Sequence, residues 1–415
     1  MIYALASRRS AFGIGDYLKT DGIAAAQHIT VLTYEQVFAH GELPIGSYLF
    51  TGLDDLTATE TALVNRSRQA LAEAAPSMSL LNDPTRFLRR GALLQAAFDA
   101  GVNTFRVTRA ADHDRRRRYP VFIRSESEHT GALSPLLHTR RAVVRELLYA
   151  MLRGYRLRDL LIVEYSHTAD AEGVFAKYSA MIVGPHIVPR SLTRSREHIT
   201  KFEGRIADQH AADADLRYVE ENPHELWLRR MFELGGVEYG RIDYAMLNGM
   251  PQLWEINTNP TIGANLAEEE PTTTVTFSAP GAWTEAERRR MARGNLLSYS
   301  KLGVAIESLA RSTMDGMTLD GVGSAPVRIP RYPPPNTRVW RTSAQSGNGF
   351  SSGRPRSACL WPPCDMRIDC DINAADAAHF TDPPRSRIHP GPFTVSLAMN
   401  GTPSVIHLGA GAPFR

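Results

Sequence analysis

The 415-residue sequence predicts an α/β (α+β) protein followed by a long irregular tail. Three observations carry that expectation. Strand-like and helix-like patterns alternate through residues 1 to about 110. A strand, loop, helix, strand, strand order follows to about Arg190, and Gly240 to Pro260 reads as a β-hairpin rich in oxygen ligands.

The elements of the first region are MIYALAS, a polar helix-like piece, HITVLTY, SYLFTGL, a helix over Leu56 to Ala75, SLLND, a helix over Arg86 to Ala100, and TFRVTR. Such alternation argues for a parallel sheet flanked by helices. Asp54 or Asp55 is placed to cap the first long helix, and Gly101 to stop the second. Gly13-Ile14-Gly15 lacks the third glycine of a dinucleotide fingerprint and reads as a turn.

Beyond Arg118, Tyr119 to Arg124 is a buried strand ending in a cation, and Ser125 to Ser134 is a polar loop with Gly131 as its one glycine. A cation beside a loop with available backbone N–H groups can cradle phosphate. Glu126, Glu128 and His129 sit in that loop, and without a positioned partner His129 reads as a solvated loop histidine rather than a catalytic one. A helix over Arg140 to Arg153 precedes the strand Leu160 to Tyr165, and two strands, Val174 to Val183 and Pro185 to Arg190, turn at Gly184. Lys177 and Tyr178 face opposite ways by alternation, so one of them can look into a cleft.

Residues 191 to 239 read as charged and mostly helical, with Lys201 in a linker and a helix over Pro223 to Glu233. In the hairpin that follows, Asn248-Gly249 is the turn signal, with arms Arg241 to Leu247 and Gln252 to Asn257. Alternation puts Glu255 and Asn257 on one face of the second arm. A strict two-residue loop would pair Asp243 with Trp254 and leave Glu255 on the wrong face. An odd-length loop or a bulge sets Asp243 opposite Glu255, and the odd-length arrangement is expected. Two carboxylates and a carboxamide oxygen suit Mg²⁺ or Mn²⁺. The spacing alone leaves an ordinary exposed acidic face as an equal reading.

Composition narrows the partners. A formal charge of +3 is too small to imply nucleic acid, and the Arg115 to Arg118 run reads as a solvated loop. The N-terminal MIYALASRRSAFGIGD has no apolar signal core, and no run is long enough to span a bilayer, so a cytoplasmic location without membrane or nucleic-acid partners is expected. Cys359, Cys364 and Cys370, even with His379, fit no zinc spacing. A helix over Thr284 to Ser312 is expected to pack by its apolar stripe. More than half of the prolines lie beyond Gly321, Pro333 to Pro335 among them, and the tail 313–415 is read as loosely ordered. Asp371-Ile372-Asn373 lacks the glycine and glutamate of a calcium loop.

Asp243 followed by Glu255-Ile256-Asn257-Thr258-Asn259-Pro260 resembles the metal-binding end of the ATP-grasp superfamily, and the resemblance covers roughly residues 80 to 265. It implies an ATP-grasp fold preceded by an open α/β domain. The expected divisions are 1–110 for that domain, 111–190 for the lid, 191–312 for the metal-binding part and 313–415 for the tail. By resemblance Asp243, Glu255 and Asn257 hold magnesium, and Arg90, Arg124, Glu164, Tyr165, Lys177 and Arg190 contact ATP. Arg241 alternates onto the Asp243 face, where holding a substrate carboxylate or developing charge and merely neutralising the acidic cluster are equal readings. The implied activity is ATP-dependent ligation of a small-molecule or peptide carboxylate to an amine or thiol through an acylphosphate. A small-molecule kinase and an ATP-binding module are the alternatives. The chain departs from the pattern at Arg90 and Arg124, where lysine is usual, and in its glycine-poor loop.

Overall fold

The computed structural model describes residues 1–8, 12–112, 116–128, 131–198, 205–206, 208–262, 285–320, 325–331, 393–399 and 402–408. Arg115, His129, Lys201, Thr284, Pro333 to Pro335, the three cysteines, His379 and Asp371 to Asn373 lie outside these described residues. The chain divides into two compact units, Met1–Arg338 and Val339–Arg415.

The first unit opens with β1 (Ile2–Ala6), α1 (Phe12–Lys19), α2 (Ile23–Ala26), β2 (Ile29–Thr33), α3 (Tyr34–His40), β3 (Glu42–Leu43), β4 (Ser47–Phe50), α4 (Ala58–Ala74) and β5 (Leu80–Leu81). Four of these strands form a parallel sheet of order β2-β1-β4-β5, as the alternation predicts. Helix α4 starts at Thr57 rather than at Asp54 or Asp55. Thr57 accepts from the Glu60 N–H while the Glu60 carboxylate accepts from the Thr57 N–H at 2.8 Å, a reciprocal cap that an aspartate ahead of it cannot match. The helix buries Leu63, Val64 and Leu71 against the sheet. Each such side chain contributes about 1.5–3 kcal/mol by leaving water.

Next come α5 (Arg90–Asp99), β6 (Val107–Arg109), β7 (Val121–Ser125), α6 (Arg140–Leu152) and β8 (Leu160–Glu164). Gly101 closes α5 with φ +71°, as expected of a helix stop. Strand β6 does not extend the first sheet. It pairs with β8, so a second, antiparallel sheet of order β6-β8-β7 begins before residue 110. The polar loop after β7 folds back along it, with the Leu133 N–H on the Ile123 carbonyl and the Val121 and Leu137 backbones exchanging hydrogen bonds.

A third sheet carries β9 (Phe175–Val183), β10 (His186–Ser195), β11 (Tyr239–Leu247) and β12 (Met250–Asn257) in the order β10-β9-β11-β12. Between β10 and β11 lie α7 (Gln209–Glu221) and α8 (Glu225–Gly235). Strand β12 is an edge, and buried amides cover it. Asn103 exchanges two hydrogen bonds with the Leu253 backbone at 2.7 and 2.9 Å, and the Gln252 side-chain oxygen accepts from the Thr104 N–H at 2.8 Å.

Helix α9 runs from Glu285 to Asp320, past the expected end at Ser312, and β13 (Val327–Arg328) then pairs with β3. Its C-terminal turns have partners: Thr313 bonds Ser47 at 2.7 Å, and the Gly316 carbonyl accepts from Ser77 at 2.9 Å. Contacts so distant in sequence leave no mark on composition. In the second unit, β14 (Phe393–Met399) and β15 (Thr402–Leu408) form an antiparallel hairpin.

Candidate active site

The hairpin of β11 and β12 turns tightly through two residues. Leu247 pairs with Met250, and both Asn248 (φ +51°) and Gly249 (φ +78°) are left-handed, the geometry that Asn-Gly supports. The loop is therefore not odd-length. A β-bulge supplies the extra residue instead: Tyr244 pairs with Leu253 and Asp243 with Glu255, leaving Trp254 unpaired. A bulge of this kind re-aims side chains. Trp254 and Glu255, neighbours in sequence, both line one cavity, with Asp243 across from Glu255.

That cavity, about 250 Å³, lies between the second and third sheets. Part of its lining is apolar: Leu94, Phe105, Phe122, Val163, Phe175 and Trp254. All but Phe175 belong to, or pack against, one hydrophobic cluster. The rest of the wall includes two ionic clusters, one on Asp243 and one on Glu255. Lys177 approaches Asp243 at 3.4 Å, Arg241 reaches its other oxygen at 3.1 Å, and Arg124 donates to Glu255. Three cations, Arg124, Lys177 and Arg241, stand among three carboxylates on the polar wall, and an apolar wall beside such a charged one suits a ligand with a flat apolar body and a charged tail.

Of the residues expected to act together, Arg124, Glu164, Tyr165, Lys177, Arg241, Asp243 and Glu255 line this cavity. Lys177 rather than Tyr178 faces it; Tyr178 packs among Tyr218, His224 and Tyr244 on the other side. Asn257 shares the Glu255 face by alternation but is not in the lining, and its side-chain oxygen accepts from the Asn259 N–H at 2.7 Å. Among the described residues no three His, Cys, Asp or Glu side chains form a metal cage. Asp243 and Glu255, opposite each other and both in the lining, supply hard carboxylate oxygens of the kind a dication with water and phosphate ligands takes.

Two expected residues lie elsewhere. Arg190 is buried under α9, with its guanidinium 4.2 Å from the Tyr299 ring, donating to Ser298 at 2.8 Å and to the Ile262 carbonyl. Arg90 is buried behind the cavity wall. It donates to the carbonyls of Ser125, Glu126 and Glu128 and, at 2.9 Å, to Glu255. Burial lowers the pKa of both guanidinium groups from the ordinary arginine value. Neither reaches the cavity surface.

Glu164 is at the wall, but its carboxylate is committed. It accepts from the Arg118 backbone at 2.7 Å, from the Arg106 backbone at 3.0 Å and from the Arg118 side chain at 2.9 Å. It fixes where β8 ends and Tyr165 begins, and the Tyr165 N–H is itself bound to the Pro120 carbonyl. Tyr165 bonds His167 through its hydroxyl at 3.0 Å and meets His198 edge to face, and burial raises its phenol pKa.

Sequence reasoning missed the apolar wall and His198. Phe122 and Val163 sit in strands read as buried, yet alternation alone does not separate a core-facing residue from a cavity-facing one. Strict alternation would turn Trp254 away from the Glu255 face, and the bulge that brings both to the cavity has no composition signal.

No family model matches the chain, and no curated protein matches it. Among solved structures it is similar to D-alanine–D-alanine ligase from Bacillus anthracis complexed with ATP, at 10% identity and TM-score 0.40, covering 77% of this chain and 98% of that one. It is similar to an ATP-grasp ligase complexed with minimal precursor, at 12% identity and TM-score 0.39, covering 63% and 91%. A RimK domain ATP-grasp protein from Sphaerobacter thermophilus gives 14% identity and TM-score 0.36, covering 73% and 100%. The solved structures to which this chain is similar thus include ATP-grasp ligases.

Proposed function

We propose that this chain is an ATP-dependent ligase of the ATP-grasp type, which activates a carboxylate as an acylphosphate for attack by an amine or thiol. The observation that carries the reading is the bulged hairpin, which sets Asp243 beside Glu255 at the charged part of a cavity whose other part is apolar. In this reading the adenine lies against Phe122, Val163 and Trp254. The phosphates meet Arg124 and Lys177. Asp243, Glu255 and Asn257 hold magnesium, which when bound would neutralise phosphate charge.

The residues then work by position and charge. Arg241, tied to Asp243 and to the Thr261 carbonyl, is held where it can bind an incoming carboxylate or the charge that develops on a transferring phosphoryl group. No side-chain nucleophile is needed, since the substrate carboxylate attacks. Arg90 and Arg190 are left out of ATP contact in favour of the buried roles described above.

The test is ADP and phosphate release from Mg-ATP by the full chain, across a panel of amino acids and other small carboxylates, beside Glu255→Gln. Carboxylate-stimulated turnover that the substitution lowers at least about a hundredfold supports the ligase. A phosphorylated alcohol as the stable product would point to a kinase, and nucleotide binding without stimulated turnover to a binding module.

A further inference from the structure

The two cavity carboxylates that face each other across the hairpin are already neutralised by the protein. Glu255 Oε2 accepts from both Arg90 and Arg124, and Asp243 accepts from Lys177 and Arg241. Asp54 lies within electrostatic reach of Arg90, and even with it the cations are in surplus. A bare dication entering here meets guanidinium and ammonium groups before it meets free carboxylate charge.

The two arginines on Glu255 differ in their freedom. Arg90 is 3% exposed and its other nitrogen is held by three backbone carbonyls, so it is a fixed counter-ion. The Arg124 side chain is 15% exposed, lines the cavity and projects from β7 in the second sheet, whereas Glu255 belongs to the third. With two guanidinium groups on Oε2, a dication at either carboxylate oxygen would sit against two cations, so keeping Arg124 opposes metal binding. Phosphate oxygens in the cavity would give Arg124 another bidentate partner.

We infer that Arg124 is a stand-in for the dication: it neutralises Glu255 until a polyanion draws it away, so the site takes metal only together with the phosphates of its ligand. The inference rests on the nucleotide reading for the identity of the polyanion, but not for the exchange at Glu255. Lys177 does the same at Asp243 to a smaller degree, because Arg241 remains. The consequence is obligate co-loading. Metal alone binds poorly, a metal-free polyphosphate binds measurably, and each strengthens the other by the same factor.

The experiment measures Mn²⁺ binding to the full-length protein by electron paramagnetic resonance, with and without ADP, for the wild type and Arg124→Met. The wild type is expected to bind Mn²⁺ at least about tenfold more tightly with ADP present. Arg124→Met should bind Mn²⁺ alone about tenfold more tightly than the wild type does, while losing affinity for metal-free ADP. Arg124→Gln, which keeps donors and removes the charge, should give the same rise and serves if the methionine variant misfolds by circular dichroism. Unchanged nucleotide-free Mn²⁺ binding in the folded variants would overturn the inference, as would a wild type that binds ADP yet binds Mn²⁺ equally with and without it. ADP that fails to bind the wild type at all would remove the nucleotide reading instead, and the Mn²⁺ response of the variants would still decide the exchange.

Discussion

Trp254 is the residue whose placement is hardest to read and easiest to test. As the bulged residue it leaves the ladder and lines the cavity beside the residue it precedes. If it forms an apolar wall for a base, Trp254→Ala should weaken ADP binding about tenfold, or about 1.4 kcal/mol, and leave tripolyphosphate binding unchanged. Calorimetric titration with both ligands checks this, and equal losses for the two would refute it. Asp215 tests a different property. It is buried between β10, α7 and α9, accepts from the Leu192 N–H at 2.6 Å, and would clash with any side chain larger than hydrogen at Gly294. Burial pushes its carboxyl up from 3.8 to about 6. The folded state therefore keeps a proton that the unfolded chain releases, so stability falls as pH rises from about 4 to about 6 and is level above that. Asp215→Asn keeps the acceptor oxygen, and urea unfolding across pH 4 to 7 should show that slope flattened. The gain at pH 7 is bounded at roughly 3 kcal/mol and reduced by the lost attraction to Arg205.

Elements were legible where one local pattern decides them. Alternation put Lys177 and Tyr178 of β9 on opposite faces and the family resemblance chose Lys177, amphipathic periodicity marked α6, Pro223 and Glu225 marked the start of α8, and Asn-Gly marked the turn of the main hairpin. The turn length was misjudged because two demands met there. The turn satisfies its own left-handed preference, and the bulge, invisible in residue types, corrects the facing of Glu255 afterwards. The α4 cap was misplaced for a similar reason, since Asp54 and Asp55 are good cap residues but Thr57 has Glu60 at the reciprocating position. Thr57→Ala should destabilise the protein by about 1 kcal/mol, measured by chemical denaturation. Gly249→Ala should lose a similar amount through backbone strain alone, because no atom lies within 4 Å of the added methyl group.

Across the first unit, the contacts that decide placement are the ones sequence reads worst. Arg190 looked like a strand-end cation, and it is covered because α9, more than a hundred residues later, brings Ser298 and Tyr299 to it. The same helix ties its far end to Ser47 and Ser77. A chain ended at Arg338 should keep the melting temperature of the full protein within a few degrees. One ended at Ser312 should lose several degrees or more, because it gives up Thr313, Gly316 and β13. Scanning calorimetry separates the two, and an unchanged transition for the shorter chain would refute the role given to the last turns of α9. Asn82, buried and left-handed at φ +71°, donates to the Phe50 and Tyr239 carbonyls and accepts from the Glu238 and Tyr239 N–H groups, all at 2.7–2.9 Å. In mechanical terms it is a rivet between the first and third sheets. Sliding one past the other would shear its three bonds to Glu238 and Tyr239 at once, about 3 kcal/mol. The β6-β8-β7 sheet lies outside that rivet, and where it faces the cavity its tie to the third sheet is the Arg124–Glu255 ion pair, a latch made of charge where the rivet is made of amide bonds.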